Sequence, residues 1–134
     1  MPEVYSFMVC DFVNNSSQGA PIPVLASPKT ALRPEFIPGN FSFGVAIGIT
    51  NIDIHKPNKF KINIYSPHNE LSFSFGDAEL PPSVDKDTLP AEYQGYMVCT
   101  DIRNMAIPEE GVYKINVYVN EELIWEKPLA VYKR

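Results

Sequence analysis

The sequence predicts an all-β protein, an antiparallel β-sandwich of immunoglobulin or fibronectin type with seven to nine strands. Three observations point there. Large apolar and small or polar residues alternate with period two in several short runs, no window long enough for a helix shows a helical period, and 13 prolines among 134 residues interrupt the chain too often for long helices. At this length one hydrophobic core forms without metal or disulfide staples, so residues 1–134 read as a single domain.

Taken in order, residues 4–13 are apolar on both sides, with Val4, Met8, Cys10 and Phe12 against Tyr5, Phe7 and Val9, as in a central strand covered on each face. Residues 14–34, rich in Pro, Ser and Asn, read as a long loop. From Phe41, the large Phe43, Val45, Ile47 and Ile49 interleave with Ser42, Gly44, Ala46, Gly48 and Thr50. That is a strand whose two glycines let another backbone or a bulky side chain come close, so the small-residue face either packs under a neighbouring loop or serves a partner.

Residues 59–65 place Phe60, Ile62 and Ile64 on one side and Lys59, Lys61 and Asn63 on the other, a half-exposed strand. Ser66-Pro67-His68-Asn69 then turns the chain into residues 71–75, which are expected to pair with it antiparallel. Residues 76–90 read as a second long loop and residues 96–102 as a second central strand. Tyr113, Ile115, Val117 and Val119 alternate with Lys114, Asn116 and Tyr118, and Asn120-Glu121 turns into Leu123-Ile124-Trp125. Pro128 breaks this last stretch before residues 129–132, so a bulge or change of sheet is expected there. Glu109-Glu110-Gly111-Val112-Tyr113 resembles the tyrosine corner of immunoglobulin-like sandwiches, with Ile115 where antibody domains carry their second cysteine.

Charge and composition exclude several classes. With 11 Lys+Arg against 16 Asp+Glu and a net charge of -5, the chain lacks the positive footprint that grips phosphate backbones, so no nucleic-acid partner is expected. No apolar run approaches the ~20 residues of a membrane-spanning helix, so no membrane association is expected either. The first residues carry Glu3 in place of a basic leader segment, and the expected location is cytoplasmic. Cys10 and Cys99 read as two buried thiols, with a disulfide between the two sheets as the alternative that a reducing compartment disfavours.

Several segments together resemble a bacterial and phage-associated family of small β-sandwich proteins known only as a domain of unknown function. They are Met8-Val9-Cys10-Asp11, Phe36-Ile37-Pro38, Phe60-Lys61-Ile62-Asn63-Ile64-Tyr65-Ser66-Pro67, the run from Ile107 to Ile115, Val119-Asn120-Glu121-Glu122-Leu123 and Pro128-Leu129-Ala130-Val131. The likeness spans most of the chain. It departs at Asn120-Glu121, where relatives carry Asp-Gly or a similar tight turn, and in the extended segment 14–34. The resemblance implies the fold and brings no activity, cofactor or catalytic residue.

The residues supply little chemistry. Cys10 or Cys99 could join His55 or His68 and an aspartate as nucleophile and base, but no local motif supports a pairing, and no Gly-x-Ser-x-Gly or phosphate-binding loop occurs. His55 and His68 match no zinc spacing, and Asp77, Glu79, Asp85 and Asp87 lack the periodicity of a calcium loop, so no metal or other cofactor is expected. Tyr118, Ile124 and Tyr132, rimmed by Lys114, Lys127 and Lys133, are the candidate exposed patch for a protein contact. The expected role is therefore non-enzymatic, through a protein partner or a homodimer. The alternatives are a carbohydrate- or small-ligand-binding module using exposed tyrosines, and a hydrolase or metal enzyme with an unrecognised site.

Overall fold

Alternating strands need two apolar faces to meet, and this chain folds them into two packed antiparallel sheets. The computed structural model describes residues 1–18, 20–83 and 88–134, with the side chains of 14–18 and 20–24 left out. Its nine strands are β1 (Glu3–Cys10), β2 (Phe12–Gln18), β3 (Ala20–Ala26), β4 (Gly39–Thr50), β5 (Asn58–Tyr65), β6 (Leu71–Leu80), β7 (Gly95–Ile107), β8 (Gly111–Val119) and β9 (Glu122–Val131). A three-stranded sheet in the order β1-β4-β7 faces a four-stranded sheet in the order β6-β5-β8-β9, and β2 pairs with β3 as a separate hairpin. This is the seven-strand immunoglobulin-like layout with a hairpin inserted between its first two strands.

The core lies between the sheets. Phe43, Val45, Ile47 and Ile49 of β4 meet Phe60, Ile62 and Ile64 of β5 and Ile115 and Val117 of β8. Phe7 of β1 packs on Trp125 of β9 with ring centroids 5.2 Å apart, which aligns those two strands on one flank. A strap over residues 27–34 closes that flank. The Lys29 N–H donates to the Val9 carbonyl at 2.8 Å, and the Leu32 N–H donates to the Ala130 carbonyl at 2.9 Å, so one segment ties both sheet edges. The tyrosine corner is present: buried Tyr113 donates its hydroxyl to the Glu109 carbonyl at 2.8 Å, and Ile115 is buried in the core.

The structure corrects four sequence expectations. Residues 4–13 form two strands broken at Asp11, and β1 and β7 are the edges of their sheet while β4 is its centre. Their two-sided apolar character comes from the outward face of that sheet, which is itself apolar. Residues 14–34 contain the β2–β3 hairpin. Its pattern is silent because β3 pairs with β2 alone, and Pro21 and Pro23 tolerate such an edge, where alternate N–H groups point away from the partner. β6 runs on to Leu80, opposite Asn58, into the segment expected to be loop. Pro128 interrupts nothing: β9 is one strand with Pro128 opposite Lys114, and the irregularity falls instead between Val117 and Tyr118, opposite Ile124. An edge strand accepts proline because one side of it needs no ladder hydrogen bond.

The departure at Asn120-Glu121 has a local explanation. Both residues hold positive φ, 50° and 71°, as a two-residue hairpin turn demands. Asn120 secures it by accepting the Lys59 N–H on Oδ1 at 2.8 Å and donating from Nδ2 to Asn58 Oδ1 at 2.9 Å.

Candidate protein-contact surface

Each sheet has one face turned away from the core, and the two are chemically unlike. On the four-stranded sheet, β5 and β8 set Lys61 beside Tyr118, Asn63 beside Asn116 and Tyr65 beside Lys114, with Glu126 of β9 next to Asn116. This face is polar and hydrogen-bonded. Ser74 donates to Asn63 Oδ1 at 2.7 Å, Asn63 donates to the Tyr65 hydroxyl at 3.2 Å, and the Lys61 ammonium lies 4.9 Å from the Tyr118 ring centre. Asn116, 7% exposed, leaves its Oδ1 without a partner.

On the three-stranded sheet the outward rows are Ser6–Gly48–Met97, Met8–Ala46–Cys99 and Cys10–Gly44–Asp101. The first two rows carry no charged residue, yet Met97 is 62% and Met8 42% exposed. The third row is closed by the chain itself. A Cβ on Gly44 would stand 2.8 Å from Cys10 Sγ and 3.0 Å from Val13 Cγ2 and the Val13 backbone nitrogen, so β2 crosses directly over this glycine. Asp101 fixes the crossing by accepting the Val13 N–H on Oδ1 at 2.8 Å. The three atoms nearest a Cβ on Gly48 would be Ser6 Oγ at 2.6 Å, Met97 Cε at 3.5 Å and Ser6 N at 3.6 Å. The small-residue face is thus closed along the strand, by β2 over Gly44 and by neighbouring side chains at the buried Ala46 and Gly48, and it is Met8 and Met97 that stand exposed there.

The residues singled out in the sequence fall elsewhere. Tyr118 lies on the polar face under Lys61. Ile124 is half-buried and packs against the core. Tyr132 is exposed but follows the far end of β9, roughly 26 Å along the strand from Ile124, so the three do not share one patch. The alternation rule put Tyr118 outward correctly and could not show that a lysine covers it, or that a bulge turns Ile124 aside. The small residues of β4 were the signal for the other face, which needed its neighbours Met8 and Met97 placed beside them.

The groups considered for catalysis are dispersed. His68, in the β5–β6 turn, contacts Glu109, and His55, in the β4–β5 loop, has Nδ1 3.0 Å from the Ser83 carbonyl, so the two sit at opposite ends of the sandwich. Both thiols are free and share the outward face of one sheet. Burial, then the charges of Asp101 and Asp11 and the neighbouring Cys99, push the Cys10 thiol above its usual range, and burial pushes Cys99 up as well. Raised thiols are weak nucleophiles at neutral pH. Cys10 and Cys99 lie on strands that flank β4, roughly 10 Å apart, beyond the ~7 Å Cα reach of a disulfide, and the inter-sheet bridge is ruled out because both belong to one sheet. Among the described residues no group of three or more His, Cys, Asp or Glu is placed to hold a metal ion, and Asp85 and Asp87 lie outside them. Open hollows of about 320, 380 and 390 Å³ on the surface have neither cysteine nor histidine in their walls. Of the tyrosines, Tyr96 donates toward the Ile54 carbonyl at 3.1 Å and Tyr113 is in the core. No helix among the described residues is long and apolar enough to cross a membrane.

Fold and faces together define an immunoglobulin-like β-sandwich. The chain belongs to a family of unknown function, DUF6941, whose model matches residues 5–132. It is similar to an immunoglobulin-like protein from Pseudomonas aeruginosa, at 12% identity over 98% of this chain and 96% of that one, with a TM-score of 0.36. No curated protein matches the chain.

Proposed function

We propose that this protein is a non-enzymatic contact module that binds another protein through the outward face of its β1-β4-β7 sheet. The observation that carries the reading is two rows without charge on which Met8 and Met97 stand exposed beside the buried Ala46 and Gly48. Exposed apolar surface of this kind is costly in water unless a partner covers it, and methionine adapts its shape to what it touches. The dispersed histidines and the raised thiols favour a binding role over a catalytic one. A reducing, cytoplasmic setting suits two thiols held too far apart to join, and the resemblance in the sequence favours a bacterial source. Quantitative co-purification from source cells tests the reading. A partner at fixed stoichiometry should be lost with Met97→Glu and kept with Tyr118→Ala. Loss on Tyr118→Ala alone, or no partner at all, would overturn it.

A further inference from the structure

We propose that two copies of this chain pair antiparallel along the free edge of β7, about a two-fold axis at Cys99, joining their three-stranded sheets into one continuous sheet. The pairing uses backbone groups in the plane of the sheet and is independent of what covers the outward face. β7 is an outer strand, and the hydrogen-bond alternation of antiparallel strands tells which of its groups are free. The Lys29 N–H reaches the Val9 carbonyl from outside the sheet, so Val9 turns its backbone groups away from β4, and Val45 opposite it turns its own toward β7. Thr100 faces Val45 and returns those bonds, as Val98 and Tyr96 do further along the strand. Met97, Cys99 and Asp101 therefore direct N–H and C=O away from β4, and among the described residues no backbone bond meets them there.

The other sheet edges carry devices that block strand addition. The strap bonds to Val9 on β1 and to Ala130 on β9, and β9 also holds Glu126, Lys127 and Pro128. β6 shifts register against β5 and carries Glu79 and Asp77, the latter at a positive φ of 36°. β7 has none of these from Tyr96 to Thr100, where it holds no charge and no proline and keeps regular register with β4. Only a β-strand takes up such a ladder, and this edge is complementary to itself. A two-fold axis at Cys99 sets Met97 against Asp101, Val98 against Thr100 and Tyr96 against Ile102 of the second copy, which pairs the whole regular stretch with no like charges opposite. The outward-directed residues then meet one another in about six backbone hydrogen bonds.

The test is sedimentation of the purified intact protein over a wide concentration range, with hydrogen exchange read at single amides. A monomer–dimer equilibrium is expected, and exchange at Met97, Cys99 and Asp101 should slow as the dimer fills. Met97→Pro deletes one free N–H in each copy without touching the β4 ladder and should raise the dimer dissociation constant at least about tenfold. Cys99→Lys brings two ammonium groups together across the axis and should raise it about fivefold. Circular dichroism checks that each variant folds, and the lysine decides if the proline does not. A chain that stays monomeric at every concentration would overturn the pairing and leave the outward contact face standing. A dimer that the folded variants leave unchanged, or slowed exchange on β1, β6 or β9 in place of β7, would overturn it as well.

Discussion

The outward faces of the two sheets show how one fold treats its solvent side in two ways. The four-stranded sheet answers water with Lys61, Lys114 and Glu126 and with a hydrogen-bonded row of Ser74, Asn63 and Tyr65, whereas the three-stranded sheet offers Met8, Cys99 and Met97 around the buried Ala46 and Gly48. Both sheets turn their other face into one shared core, so the difference points to what each outward face meets.

The contrast can be broken first at the glycines. Gly44→Val should cost about 3 kcal/mol in denaturant unfolding, because the new side chain drives into Cys10 and the Val13 backbone. Gly48→Ala should stay within about 1 kcal/mol, because Ser6 Oγ and the Met97 tip can rotate away. Equal losses at the two positions would mean that the side chains at Gly48 yield no more than the chain at Gly44 does.

The polar face provides the next comparison. Asn63→Ala removes the amide that bonds Ser74 and Tyr65, whose hydroxyls water can reach, and should cost about 1 kcal/mol. Asn116→Val removes a buried carbonyl that has no donor and should be neutral or stabilising by about 1 kcal/mol. A loss at Asn116 matching that at Asn63 would show a partner for its oxygen. Tyr113→Phe, which removes only the corner hydrogen bond beneath both faces, should cost about 1 kcal/mol and leave partner binding unchanged.

The smallest effect is alkaline. The folded Cys10 thiol holds its proton above the ordinary value of 9.0, so its contribution to stability is complete below pH 9 and is lost as pH rises through the folded value. Tm should fall more steeply above pH 9 in the wild type than in Cys10→Ala, and parallel curves would deny Cys10 that role.

Much of this architecture was legible in the sequence. The alternation of Phe41 to Ile49 and of Tyr113 to Val119 gave strands in the right places, and Glu109 to Tyr113 announced the corner, because those patterns are local. The β2–β3 hairpin was not legible, since it pairs with itself and carries no alternation imposed by a core. The contact face was half legible. Gly44 and Gly48 marked it, but which glycine lay under the chain depended on where β2 crosses, a long-range fact that spacing does not record. Tyr118, Ile124 and Tyr132 drew notice as outward aromatic and aliphatic residues, and Lys61, a bulge and the length of β9 separate them.

The most direct measurement is photo-crosslinking in source cells, with a benzophenone amino acid placed in turn at Met97 and at Tyr118. One discrete protein adduct from position 97 and none from position 118 is the expected result. Adducts from position 118 alone would contradict the assignment of the contact to the three-stranded sheet.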